Sequence, residues 1–351
     1  MKANSLNILA WKKLRKDKLS FSALIFIFLC VLLGVFAVVL SPDSSHMANE
    51  MHIELATKKP FTKILFLEIP KQDIEQVTFL EAIFIGKYSI VNRIPIDKYT
   101  AIHNGVTYFS YQSEFKQTFI GNYKINSQTF YFGTDKYGRD LLSRILYGIR
   151  ISLSVGFIAV LLSLFIGITL GLISGYFRGK TDDIIMWFVN VIWSIPTLLM
   201  VIAITLALGK GFWQVFVAVG LTMWVEVARI VRGQVLVIRE LEYVEAGKAL
   251  AFKSFRIIFK HILPNVIGPV IVISAANFSA AILIEAGLSF LGIGAQPPMP
   301  SWGGMIKDHY AYIIMDKAYL AIIPGVAIML SVLAFMLLGN GLRSALDVKD
   351  G

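Results

Sequence analysis

The first residues to weigh are those whose types and spacing could carry chemistry. Ser174-Gly175-Tyr176-Phe177-Arg178-Gly179-Lys180-Thr181 ends like the phosphate-binding loop G-x-x-x-x-G-K-[ST]. In such a loop backbone N–H groups and the lysine hold nucleotide phosphates, but the loop must follow a strand and open onto a helix. Here Ser174 replaces the first glycine and the stretch follows a long apolar run, so it reads as a short positive loop. His46, His52 and His103 have no defensible metal-ligand spacing and read as solvated surface histidines. The single cysteine, Cys30, lies within an apolar run, and alone it can form neither an intramolecular disulfide nor a metal cluster. Glu226, Arg229 and Glu285 are ionisable residues inside apolar stretches, where charge is costly and needs a partner or a purpose. Glu226 and Arg229 are three apart and can pair locally near one end of their helix. Glu285 is assigned to a buried hydrogen bond in helix packing or to a solute pathway, and Pro196 to a kink or hinge. No catalytic constellation, metal site or cofactor site emerges.

The elements that would carry these residues are set by composition. Apolar residues are 56% of the 351 and charged residues 16%, against about 45–50% and about 25% in soluble domains. A core of this size does not need that excess; an apolar solvent does. Crossing a bilayer takes about 20 apolar residues. Uncharged runs cover Phe21–Pro42, Ile151–Phe177, Ile184–Gly209 and Ala318–Leu342, with Gly211–Val225 and Ile262–Ile284 continuing past their charges. The expectation is an all-α polytopic membrane protein with six transmembrane helices. The first run is longer than a signal-peptide core and reads as an uncleaved span.

Basic residues set the orientation. Lys2, Lys12, Lys13, Arg15, Lys16 and Lys18 precede the first span. Arg232, Arg239, Lys248, Lys253, Arg256 and Lys260 fall between spans four and five, and Arg343 and Lys349 follow the last, whereas the loop Gly209–Gly211 holds only Lys210. Both termini are therefore expected in the cytoplasm. The net charge of +10 reads as topology, with membrane lipid rather than nucleic acid as the neighbour. The domain reading is a cytoplasmic segment 1–20, a first span 21–40, an extracytoplasmic insertion 41–131 and a membrane domain 132–346. Within the insertion, Lys63–Ile69, Val106–Tyr111 and Thr129–Phe132 read as strands between turns at Asn104-Gly105 and Gly121-Asn122, giving a β-rich or α+β domain.

The loop at about 239–264 contains Tyr243-Val244-Glu245-Ala246-Gly247-Lys248-Ala249-Leu250-Ala251-Phe252 and runs to Ile262-Leu263-Pro264-Asn265. Small residues give a helix a thin surface that another protein can approach closely, and Gly247 and Ala251, four apart, are expected on one face. Pro264 is expected to break the helix and turn the chain into the next span. From physics alone, an ordinary interfacial helix that merely connects spans is the favoured account of the loop.

This stretch resembles the EAA loop of ATP-binding-cassette (ABC) importer permeases, matching at Glu245, Ala246, Leu263 and Pro264. Gly247 stands where a second alanine is usual and Ala251 where a glycine is usual. Phe132-Gly133-Thr134-Asp135-Lys136-Tyr137-Gly138-Arg139-Asp140-Leu141-Leu142-Ser143-Arg144 resembles the segment before span two in dipeptide, oligopeptide and nickel permeases. Leu288-Ser289-Phe290-Leu291-Gly292-Ile293-Gly294, Pro297-Pro298 and Pro300-Ser301-Trp302-Gly303 resemble the end of span five and the following loop in that group. Residues 131–346 are covered well, 1–40 loosely, and most of 41–130 not at all.

The resemblance implies one half of a heterodimeric pore in the bacterial inner membrane, completed by a second permease subunit. It further implies two cytoplasmic ABC ATPase subunits and an extracytoplasmic substrate-binding protein that delivers peptides or a related solute. Glu245, Ala246, Gly247 and Ala251 would contact an ATPase, Leu263 and Pro264 would close the loop, and the chain itself would not be an enzyme. A secondary transporter, or a membrane-anchored binding or sensor module, are the alternatives.

Overall fold

A computed structural model describes residues 4–71, 86, 90–209 and 211–346. Lys2, Lys210 and Lys349, counted above for orientation, lie outside the described residues. The chain forms two compact units, one of Met1–Leu29, Ser152–Gly294 and Ile328–Gly351 and the other of Cys30–Ile151 with Ala295–Ala327. The boundary read from the sequence at 131 thus falls inside the second unit.

Among the described residues five helices are long and apolar enough to cross a membrane: Lys18–Val35, Leu141–Phe177, Phe212–Ile238, Ser254–Phe290 and Tyr319–Leu346. The first is preceded by a basic helix, Asn4–Lys16. Asp17 separates the two and starts the second, accepting from the Leu19 N–H at 3.1 Å and from the Ser20 hydroxyl.

The run expected to be a single third span is broken. Helices Gly179–Trp193 and Thr197–Leu208 meet at 91°, as a broken span or a re-entrant loop. The reason is local. Pro196, at the break, disfavours helical geometry in the residue before it and removes a backbone donor. Pro196 therefore does more than kink a helix, and the described residues hold five candidate spans, or six if the bent pair is one.

In the helical unit, Leu141–Phe177 packs closely on Phe212–Ile238 along Gly167, Gly171 and Gly175. A Cβ on Gly171 would lie 2.7 Å from the Ala228 carbonyl oxygen, and one on Gly175 2.7 Å from Val235 Cβ. Glycines four apart line one helix stripe and let two backbones approach where no hydrophobic effect drives association.

The second unit contains a five-stranded antiparallel sheet, β1 (Thr62–Pro70), β2 (Val91–Ile102), β3 (Gly105–Ser110), β4 (Lys116–Ile120) and β5 (Lys124–Phe130), in the order β4-β3-β2-β1-β5. β1 alternates faces. Ile64 and Phe66 pack with Leu55 and Phe130 on one side, and Leu67 packs with Ile96, Val106 and Tyr108 on the other. β2 escaped the sequence reading because Pro95, Asp97 and Lys98 interrupt its pattern. The register shift between Ile96 and Lys98 is a bulge that absorbs the interruption.

Candidate functional site

The exposed loop helix is Glu242–Ala249. Glu242 and Glu245 occupy its first turn and Lys248 its last, which suits the helix dipole at both ends. Val244 is fully buried in a cluster with Leu172, Val231, Val235, Ile238, Ile257, Ile258, Ile262 and Val266, so the helix is seated on three long helices. Glu245, Ala246 and Ala249 point outward and are exposed.

Gly247 departs from expectation. It is buried, and a Cβ there would meet the Phe252 ring at 3.4 Å and Ile257 at 3.9 Å. Nor do Gly247 and Ala251 share a helix face, because the helix ends first. The Ala251 N–H donates to Lys248 O at 2.9 Å and the Phe252 N–H to Gly247 O at 3.0 Å. That pair of bonds is a Schellman stop, which requires a left-handed residue at the position Ala251 occupies. Ala251 adopts φ 56°. The glycine usual there in the resembled motif would satisfy this turn without a Cβ. Here alanine takes this left-handed conformation despite its Cβ.

Pro264 also departs from expectation. The chain does not break there but runs helically from Ser254 to Phe290, through a π-turn at Ile258–Ile262. The Leu263 N–H donates five residues back, to Ile258 O. A turn widened in this way makes room for the proline ring, which in an α-helix would press on the carbonyl four residues earlier. Leu263 is half-buried and Pro264 exposed. Next to it, Asn265 Nδ2 donates to His261 O at 2.7 Å and to the Tyr243 hydroxyl at 3.1 Å.

The charged residues inside the spans have different surroundings. Glu285 is 1% exposed and accepts from Ser289 Oγ, one turn later on its own helix, at 2.7 Å. Glu226 and Arg229 do not pair; Arg229 lies 3.8 Å over the Trp193 ring and Glu226 is exposed. The stretch resembling a phosphate loop joins two helices. There Asp182 receives Arg232 Nε at 2.7 Å and Nη2 at 2.6 Å, plus the Ser174 hydroxyl, while Lys180 stays exposed.

The stretch at 132–144 is a buried polar node of the second unit. Asp135, with no exposure, accepts from the Tyr137 and Arg139 N–H groups at 2.8 and 3.0 Å and from Arg139 Nε at 2.6 Å. Arg139 Nη1 continues to Asn49 Oδ1 at 2.9 Å. Asp140 caps the helix Leu141–Phe177 through the Ser143 N–H at 2.8 Å and the Ser143 hydroxyl. Burial pushes the Asp140 carboxyl up to about 6, and the neighbouring Asp43 and Asp135 charges add to this. Gly138 takes φ 73° with its α-carbon against the His52 backbone, a close approach that a side chain would block. From the other end of the unit, Lys136 Nζ pairs with Asp308 at 3.0 Å and Trp302 Nε1 donates to Ile145 O at 3.1 Å. The two stretches singled out in the sequence at 132–144 and 297–303 therefore belong to one scaffold. His52 is half-buried, 3.6 Å from Glu50 and beside Phe66, rather than solvated. Among the described residues no three His, Cys, Asp or Glu side chains gather as a metal site.

Sequence reasoning missed the Gly167-Gly171-Gly175 stripe and Asn265. The first was legible as G-x-x-x-G-x-x-x-G within an apolar run; the second had no signal beyond its place after Pro264.

Residues 167–349 match the family model described as binding-protein-dependent transport system inner membrane component. The chain is 43% identical over 223 residues to the glutathione transport system permease protein GsiD of Pectobacterium atrosepticum, covering 64% of this chain and 74% of that one. It is 45% identical over 219 residues to the dipeptide transport system permease protein DppC of Bacillus subtilis, covering 62% and 68%. An inward-facing structure of the MetNI methionine ABC transporter shares the fold, with TM-score 0.50 at 17% identity over 59% of this chain and 97% of that one. The chain belongs to the binding-protein-dependent transport system inner membrane component family and is a multi-pass permease subunit of an ABC importer.

Proposed function

We propose that this permease forms one half of a pore for di- or oligopeptides or a related solute, paired with a second, different permease. ATP would be hydrolysed by two separate cytoplasmic ATPase subunits, and an extracytoplasmic binding protein would deliver the solute. Both termini and the helix Glu242–Ala249 then lie on the cytoplasmic side, and the five-stranded sheet lies outside. The observation that carries this reading is the two-sidedness of that helix. Val244 and Gly247 are built into the span core, while Glu245, Ala246 and Ala249 offer a thin, exposed surface. An ATPase gripping the outer side would move the spans through the inner side. Peptide cargo is supported by the names of relatives at 43–45% identity.

Replacing Glu245 by lysine puts a positive charge at the helix start, against the dipole and against the docking face. Peptide-dependent growth of cells relying on the Glu245→Lys transporter should stop while the subunit still inserts. Unimpaired uptake would overturn the docking assignment. For the sheet we propose docking of the binding protein or of the partner permease. Removing residues 50–125 without loss of uptake or assembly would exclude it.

A further inference from the structure

The helix Glu242–Ala249 is linked to the long helix Ser254–Phe290 in three ways. Val244 sits in the shared apolar cluster. Phe252, just past the Schellman stop, is stacked on His261 at 6.2 Å with Arg256 4.0 Å over its ring. The ring stack meets the long helix at or before its π-turn, while the apolar cluster continues past it through Val266, Val270 and Ile273, by non-directional contacts alone. The third link is polar and directional. Asn265, three residues beyond the π-turn, spends both amide hydrogens, one on His261 O at 2.7 Å and one on the Tyr243 hydroxyl at 3.1 Å. Tyr243 belongs to the short helix itself.

The placement matters because of what lies between. A π-turn is a local widening of the helix that is frequent at functional joints, and Pro264 takes away one further backbone donor beside it. Such a joint can absorb displacement. A push carried through residues before Ile262 can be dissipated there, and the apolar contacts beyond it, being non-directional, leave the short helix free to slide on the span. Asn265 bridges the joint, tying the short helix directly to the first turn of the uninterrupted span and pinning His261 O on the way.

We propose that Asn265 is a positioning residue for transport, acting with Tyr243 as a strut that makes the helix Glu242–Ala249 and the span Leu263–Phe290 move as one body. This rests on the docking role proposed for that helix. The chemistry asks for both partners: the amide supplies two donors from one nitrogen, and the phenol supplies an acceptor at the end of a stiff side chain. Loss of either releases the same constraint, so the two losses should not add.

The test is a pair of nitroxide labels at Lys248→Cys and Leu283→Cys, both exposed, with the buried Cys30 replaced by alanine. Leu283 is 18 residues beyond Asn265, or roughly 27 Å along a helix, which suits pulsed dipolar spectroscopy. Distances are read in nanodiscs on the complex assembled with its partner permease and ATPases, with and without ATP and vanadate. The parent should give one narrow distribution in both states. Asn265→Ala and Tyr243→Phe should each widen it about twofold, with co-purified ATPase unchanged, and the double variant should be no wider than Asn265→Ala. Unchanged widths, or widths that add in the double variant, would overturn the strut. Tyr243→Phe removes only a hydroxyl and decides the matter alone if Asn265→Ala does not fold. Failure of the ATPases to associate with the parent would instead defeat the docking reading, and the widths measured on the permease alone would still decide the strut.

Discussion

Ala251 offers a sharp test of the loop geometry. It holds a left-handed conformation, φ 56°, as the C′ residue of the Schellman stop after Ala249. For a residue with a Cβ that conformation costs about 1–2 kcal/mol. Glycine removes the cost but loses about 0.5–1 kcal/mol more conformational entropy on ordering. The balance predicts that Ala251→Gly stabilises the stop by about 0.5–1 kcal/mol, and that Ala251→Val, with a branched Cβ, weakens it. Local opening is read by amide hydrogen exchange. In the peptide covering Lys248–Ser254, the Ala251 and Phe252 amides, bonded to Lys248 O and Gly247 O, should exchange about two- to fivefold more slowly in Ala251→Gly. They should exchange faster in Ala251→Val. Exchange that is equal or faster in the glycine variant would refute the left-handed stop, and with it the explanation of why the resembled motif prefers glycine there.

Further outcomes follow from other parts of the molecule. Gly171→Val places a branched side chain where a Cβ already lies 2.7 Å from the Ala228 carbonyl and from Val231; the variant should lose folded protein in detergent, with a thermal midpoint lower by several degrees. Asp140, held up at about 6 against 3.8 when unfolded, favours the folded unit most below pH 4, and that advantage is lost as pH rises through 6. The shift amounts to about 3 kcal/mol, and thermal midpoints of parent and Asp140→Asn between pH 4 and 8 should diverge over that window. Arg232→Ala strands the Asp182 carboxylate, which receives two short bonds from it, and should cost about 3–5 kcal/mol if the pair is screened from water and less at its observed partial exposure. Lys180→Ala should leave ATP hydrolysis by the assembled complex within twofold of the parent; a large loss would revive the phosphate-loop reading.

The apolar runs were readable in one dimension, because bilayer thickness and helix rise convert run length directly into span. The strands at Lys63–Ile69 and Val106–Tyr111 were legible for a similar reason: their side chains alternate with a period of two. Other features depend on partners distant in the chain. β2 is a strand because β1 and β3 pair with it despite Pro95 and Asp97. Pro196 and Pro264 look alike in sequence, yet one stands at a 91° break and the other lies in a continuous helix, because only the second follows a π-turn that accommodates its ring. Small size alone puts Gly247 and Ala251 together on one thin helix face, which is not where they lie. Only the tertiary structure decided that Gly247 faces the core, that Ala251 ends the helix, and that the outward surface is left to Glu245, Ala246 and Ala249.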